Sequence, residues 1–489
     1  MSDALSNQEV VDRFRPLIEP RAIAVAGASA SSVTLGNEII NHVRNFGFEG
    51  KIYPIHPSAD EVEGLRAYRT FADLPETVDY AYISIAAASI SKLLSEAQGK
   101  VRFAQVSSSG FGETVAGKEL EGEIVAAARA GGSRLVGPNC IGIYCPKGHL
   151  TWVGGVSAES GPVGIVTQSG GLGTNMIRRG NERGVRFSSL VSVGNSADIG
   201  PNDLLEFYLA DPETKVIGLY LEDIKDGRRF FDILRAAGGA KPVVLLRGGR
   251  SQQGQRASFS HTGAMASDER IWQAAAQQLG IVYAETLDEY VDILLAFQML
   301  TPRAGKPTEN IVLFGNGGGI SVMASDIFSA VGLSVPAFTD EARKPLDDLN
   351  LPPGTSINNP IDTPRSTLRV EGAEVVEKIL EAVYESGSAD ALVMHLNIAS
   401  FIGSADQRFN TLEKLIENTL KVQSRMGAHV HFALVLRSDG SVAADERKRE
   451  DRARALALGI PVFDEMPEVA RALAGVSRYE RFLTSRAAT

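Results

Sequence analysis

The sequence predicts three parallel α/β units in tandem, and three observations point to it. Short apolar runs rich in Val, Ile, Leu and Ala alternate with amphipathic helical stretches almost throughout. Each of three blocks opens on such a run and breaks into a glycine-rich turn. Two stretches carrying Pro and Gly, at Pro146–Pro162 and Thr301–Thr308, separate the blocks as linkers. The length of 489 residues suits about three domains at the usual ~100–200 residues each.

In the first block Ala22–Ala26 reads as a strand, followed by a loop and a helix near Glu38–Phe46. Further strands follow at Lys51–Ile55, Tyr80–Ile85, Phe103–Val106 and Arg134–Val136. In the second block Val163–Thr167, Leu190–Val193, Val216–Leu221 and Val243–Leu246 have the continuous apolar character of strands buried on both faces. Helices at Leu204–Leu209 and Phe230–Ala237 fill the gaps. The third block restarts at Ile311–Phe314 and continues with Ala391–His395, His429–Leu436 and Ile460–Phe463. The expected domains are therefore residues 1–150, 160–300 and 308–489.

Composition excludes several classes. Hydrophobic residues at 44% and charged residues at 22% support ordinary cores and rule out a disordered or fibrous chain. Lys plus Arg number 49 against 59 for Asp plus Glu, a net charge of -10, so no nucleic-acid partner is expected. Cys140 and Cys145 cannot build a disulfide framework, and no CxxC pair suggests zinc. The start, MSDALSNQEVVDRFRPL, lacks the apolar core of a signal peptide, and no run approaches ~20 apolar residues. No membrane association and a cytoplasmic location are the expectations.

The glycine-rich turns carry the first chemistry. AVAGASASSVTLGNEII places Gly27 at a strand end and Gly36 at a helix start, where small residues let backbone N–H groups approach a phosphate. Tight strand–helix packing explains the same glycines equally well. A nicotinamide site wants GxGxxG and an acid about 20 residues on; here the second strand ends in His56–Pro57 without one, which disfavours NAD. TQSGGLGTNMI sets Ser169, Gly170 and Gly171 between strand and helix, and FGNGGGISVMA does the same with Asn316, Gly317 and Gly318. Two helix N-termini of this kind can hold a phosphoryl group without Lys or Arg.

The segment from Arg247 through His261 to Ala264 is polar and reads as a loop after a buried strand, with a helix beginning near Ala264. A histidine so placed can attack phosphorus, given a carboxylate to orient its ring and stabilise its cation. Glu222, ending VIGLYLE, is the candidate, since strand ends in parallel sheets face ligand crevices. Viewed alone, the commoner roles are a surface histidine and a solvated strand end. His429 and His431 share a face of a predicted strand, but no third ligand accompanies them and no metal site is expected. Cys140, in GPNCIG, reads as a small buried hydrophobe or as a thiol lining a cofactor pocket.

In order, AVAGAS, SSSGFGE, GPNCIG, TQSGGLG, YLEDIKDG, the FSHTGAM segment and FGNGGGI with NNPID downstream resemble the NDP-forming acyl-CoA synthetases, relatives of the succinyl-CoA synthetase α chain. The order is that of the ADP-forming acetate–CoA ligase α subunit, over roughly Arg13 to Arg481. The resemblance implies a Rossmann-like CoA-binding domain followed by two flavodoxin-like ligase domains. It makes His261 the phosphohistidine, with Glu222 supporting its imidazole, and makes Ser169, Gly170 and Gly171, and Asn316, Gly317 and Gly318, phosphate cradles. Coenzyme A is implied at Gly27, Ser29, Ser31, Ser32, Val33, Leu35 and Gly36, near His56 and Pro57, and at Ser107, Ser108, Ser109 and Gly110. Asn139 and Cys140 fall near the acyl-transfer end of that site. No ATP-grasp unit follows the third block, so ATP or ADP with Mg2+ is expected mainly on a partner chain, an ATP-grasp β subunit in an α2β2 assembly. The alternative is a CoA- or acyl-CoA-binding regulatory protein that has lost this partner.

Overall fold

The computed structural model describes residues 6–113, 117–262, 268–368, 374–401, 411–426 and 429–487, without the side chains of 258–262, 365–366 and 411. Its contacts divide the chain into two compact units, Met1–Leu287 and Asp288–Thr489.

The first unit holds two large sheets and a two-stranded antiparallel ribbon, Glu61–Val62 with Leu65–Arg66. The first sheet runs Lys51–Ile55, Ala22–Ala26, Val78–Ile83, Val101–Val106, Arg134–Val136, all parallel. The second runs Ile281–Ala284, Val243–Arg247, Val216–Leu221, Ser160–Thr167, Phe187–Ser192, with Ile143–Tyr144 added antiparallel at the edge. In each, the opening strand lies between the second and third, so the strand order reverses beside it and leaves a crevice at the carboxyl ends. Helix Asn7–Ile18 packs Phe14 against Phe103 of one sheet and Phe207 beside the other, with ring centroids 6.2 and 5.9 Å apart. Asp198 pairs with Arg129 and Arg134, and Ile199 bridges to Val136, further joining the two sheets' domains.

The second unit repeats the strand order with Ile361–Asp362, Ile311–Gly315, Ala391–Asn397, His431–Arg437 and Val462–Phe463. Its core gathers Val312, Phe314, Leu392, Met394 and Leu434 against helix residues Ile379, Val383 and Leu415. Among the described residues no helix is long and apolar enough to cross a membrane.

Three readings need correction. Pro146–Pro162 is not a free linker: Leu150, Thr151, Trp152 and Val153 are buried, and Trp152 Nε1 donates to Thr174 Oγ1 at 3.0 Å. The polar segment after Val243–Arg247 is not a loop throughout, because Gln252–Thr262 is helical and includes His261; Ala264 lies outside the described residues, and the next helix is Glu269–Leu279. His429 precedes its strand, which begins at His431, and buried His431 Nε2 sits 2.9 Å from Glu480 Oε1.

Candidate functional site

The first turn is built by steric necessity. Gly27 has φ +110°, and an added Cβ would lie 2.4 Å from the Ser84 carbonyl oxygen; one on Gly36 would lie 2.4 Å from Ala28 N. Strand end, turn and helix start can approach this closely only without side chains at these two positions. Asn37, which sequence reasoning missed, ties the turn together. Its Oδ1 accepts from Ser29 N at 2.9 Å and Thr34 N at 3.1 Å, and its Nδ2 donates to Ser29 O at 2.9 Å and Glu63 Oε1 at 2.6 Å. Ser29 Oγ accepts from the N–H groups of Ser31 and Ser32, and Val33 projects to solvent at 80% exposure. Leu35 and Gly36 open helix Leu35–Asn45.

The neighbouring strand ends supply the rest. His56 Nδ1 accepts from Ser58 N and Ala59 N beside Pro57. Ser107 Oγ and Ser108 Oγ donate to the carbonyls of Ile83 and Ile85, while Ser109 and Gly110 are exposed. Thus the turn, His56–Pro57 and Ser107–Gly110 all occupy the carboxyl end of one sheet. The Gly110 and Phe111 amides already hold Glu113; burial opposes its charge, but Asn195 and these backbone donors outweigh that and lower its pKa. Asn139, at φ +56°, donates its N–H to Ser108 O. The Cys140 thiol, by contrast, points into the core: it donates to Val106 O at 3.2 Å, and burial pushes its pKa up to about 12. Its side chain plays the packing role.

A cleft of about 510 Å³ lies between the first sheet's domain and the second sheet's domain, lined by Gly112, Lys118 and Glu121 on one side and Gln168, Glu222 and Lys225 on the other. Asn195 Nδ2 spans the two, donating to Glu113 Oε2 at 2.9 Å and Glu121 Oε2 at 2.8 Å. Ser169 caps helix Gly170–Arg183 through Leu172 N. A Cβ on Gly170 would meet Ile141 at 2.9 Å, so this glycine serves packing, whereas Gly171 faces open space. The helix start is therefore accessible, with its partial positive charge available to an anion. Glu222 stands at the adjacent strand end. Its N–H donates to Gln168 Oε1 at 2.6 Å, and its Oε1 accepts from Tyr220 OH at 3.1 Å. Ser169, Gly170 and Gly171 follow directly on Gln168, which lines the cleft together with Glu222. The side chain of His261 lies outside the described residues; its helix follows buried Arg247, which pairs with Glu269 and stacks 5.0 Å over Trp272.

In the second unit Gly315 leaves no room for a side chain, since its Cβ would fall 2.5 Å from His395 Nε2. Asn316 Oδ1 accepts from Asn397 N at 3.1 Å, and Gly317 N donates to Asp362 Oδ1 at 2.7 Å. A carboxylate therefore already stands at the start of helix Gly318–Ala330, a feature legible in NNPID but not interpreted from sequence. Burial lowers the His395 pKa to about 4, against the opposing pull of Asp362. The Ser169–Gly171 and Asn316–Gly318 turns belong to different units.

Two family models match: a CoA binding domain over residues 21–146 and a succinyl-CoA ligase like flavodoxin domain over residues 160–297. The chain is 36% identical over 353 residues to the acetate–CoA ligase [ADP-forming] I subunit alpha of Pyrococcus furiosus, covering 71% of this chain and 75% of that protein. It is 30% identical over 475 residues to the acetate–CoA ligase [ADP-forming] II of Archaeoglobus fulgidus, covering 96% of this chain and 67% of that protein. Among solved structures, the dinucleotide forming acetyl-coenzyme A synthetase 1 of Ca. Korarchaeum cryptofilum, in complex with phosphate and ADP, matches with a TM-score of 0.82 at 29% identity, covering 97% of this chain and 99% of that one.

Proposed function

The chain belongs to the ADP-forming acetate–CoA ligase family, and from that premise we propose that it is the α subunit of an acyl-CoA synthetase, interconverting carboxylic acid, CoA and ATP with acyl-CoA, ADP and phosphate. Residues 1–150, 160–300 and 308–489 are its three domains in this reading. An ATP-grasp β subunit, in an α2β2 assembly in the cytoplasm, binds ATP with Mg2+.

The chemistry divides into three displacements. A His261 ring nitrogen attacks the γ-phosphorus, forming an N–P bond as the bond to the β-phosphate oxygen breaks and ADP leaves. A substrate carboxylate oxygen then attacks that phosphorus, breaking the N–P bond and giving an acyl phosphate. The CoA thiolate finally attacks the acyl carbon, and phosphate departs with the electron pair of the C–O bond. The Glu222 carboxylate accepts the imidazole N–H and steadies the ring while it carries phosphate. Ser169, Gly170 and Gly171 offer the helix start to the phosphoryl oxygens. The turn from Gly27 to Gly36, His56–Pro57 and Ser107–Gly110 hold CoA, with Asn139 at the acyl-transfer end. Asn316, Gly317 and Gly318 form a second cradle, in which phosphate must take the Gly317 N–H from Asp362.

The observation that best supports this reading is the 510 Å³ cleft, where Glu222 and Gln168, the residue directly before the Ser169 helix cap, face the CoA-type domain. The test is incubation of the full chain with an acyl phosphate, followed by detection of acid-labile phosphate on His261. His261→Ala is expected to abolish labelling while leaving CoA binding intact, and Glu222→Gln to lose labelling at an unchanged melting temperature. A folded wild type that binds CoA but takes no label would favour the regulatory CoA-binding alternative.

A further inference from the structure

Glu222 is held at two points by side chains that the reaction scheme above does not use. Gln168 Oε1 accepts from the N–H of Glu222 at 2.6 Å and of Asp223 at 3.2 Å, and Gln168 Nε2 donates back to Asp223 O at 3.0 Å. This fixes the backbone where the Val216–Leu221 strand ends. The carboxylate is fixed separately. Tyr220 and Glu222 are two apart, so their side chains leave the extended chain on the same face, and Tyr220 OH donates to Glu222 Oε1 at 3.1 Å. Gly248 makes the space for this pair, since a Cβ there would lie 2.7 Å from Tyr220 OH and 3.1 Å from Glu222 Cγ. Tyr220 itself is only 8% exposed. A buried phenol with a single hydroxyl proton directed at a carboxylate has little freedom to serve another acceptor.

We propose that Tyr220 is a positioning residue for phosphoryl transfer, fixing the rotamer of Glu222, while Gln168 anchors the backbone beneath it. The inference rests on the role given to Glu222 above. Burial, and next the charge of Glu222, raise the Tyr220 pKa, which keeps the phenol protonated and donating. The orientation of a catalytic carboxylate matters because small displacements of a group that steadies a nucleophile cost rate without touching substrate affinity.

Tyr220→Phe removes only the hydroxyl. Two measurements on the full chain test it. In the first, acyl phosphate labels His261; the variant is expected to label about tenfold more slowly, with the KM for acyl phosphate and the Kd for CoA unchanged. An unaltered rate, or a CoA affinity that falls in parallel, overturns the proposal. In the second, NMR follows the carboxyl resonance of 13C-labelled Glu222, identified by its loss in Glu222→Gln. Its chemical shift at fixed pH is expected to move in Tyr220→Phe, because the hydrogen bond from the phenol to Oε1 is gone. Lys118, Glu121, Asp223 and Lys225 around the cleft are the same in both proteins, so the difference isolates the phenol. An unchanged chemical shift overturns the pairing. A wild type that never labels removes the functional reading instead, and the spectral comparison still decides whether Tyr220 positions Glu222.

Discussion

Asn37→Ala should loosen the Ser29–Gly36 turn more than its size suggests. The side chain is 2% exposed and joins four backbone or carboxylate groups: Ser29 N, Thr34 N, Ser29 O and Glu63 Oε1. A neutral hydrogen bond nets roughly 1 kcal/mol and one to a charged group ~1.5–3 kcal/mol, so the gross loss is about 5 kcal/mol. The turn is partly open, and water can satisfy some of the freed groups; the expected net loss of stability is about 3 kcal/mol. Affinity suffers separately. Reordering even one loosened residue on binding costs ~1–2 kcal/mol, which raises the Kd for CoA about tenfold. Urea denaturation followed by circular dichroism reads the first quantity, and calorimetric titration with CoA the second. A stability within about 0.5 kcal/mol of wild type together with a CoA Kd within about twofold would refute the claim that this amide organises the turn.

Two further outcomes follow from burial. Native Cys140 and Cys145 should resist iodoacetamide at pH 8, since burial raises both thiols to about 12 and hides them, and both should alkylate in urea; rapid labelling of Cys140 in the native chain, read by peptide mass spectrometry, would contradict its place in the core. His395 should make the second unit acid-sensitive. Its folded pKa of about 4 lies below the ordinary value of 6.5, so the unfolded chain takes up the proton first as pH falls. The stabilisation is complete above about pH 6.5 and is lost toward pH 4, by about 3 kcal/mol in all. Denaturation profiles of wild type and His395→Leu should diverge over that window, and parallel profiles would remove His395 as the cause.

The strands were legible because a strand buried on both faces leaves a continuous apolar run, and Val216–Leu221 could be read without error from VIGLYL alone. The helix Gln252–Thr262 left no such trace: QQGQRASFSHT has too few apolar residues to show a period, and its glycine suggests a turn. Leu150–Val153 was the opposite case, an apolar signal overlooked because its surroundings have linker composition. In the site, the glycines and Glu222 stood out through local pattern. Gln168 and Asn195 did not, because their partners lie far away in sequence; Gln168 and Glu222 are separated by 54 positions and become neighbours only when the sheet assembles, while Asn37, whose partners Ser29 and Thr34 are local, passed for an ordinary polar residue of the helix start. Amides that bind backbone groups across a crevice have no periodicity to betray them.

The shared strand order gives those amides a common meaning. At each order reversal the chain leaves the opening strand beside the end of the third, and the three crevices are treated differently. In the second sheet, Gln168 Oε1 crosses to the N–H of Glu222, and in the second unit Asn316 Oδ1 crosses to the N–H of Asn397. Among the described residues, no side-chain amide makes the corresponding link in the first sheet. Gly27 sits bare against the Ser84 carbonyl, and Asn37 instead draws the turn back onto its own helix. In the other two crevices the amide ties the end of the opening strand to the end of the third, so the backbone around the helix start is held in place before any anion arrives.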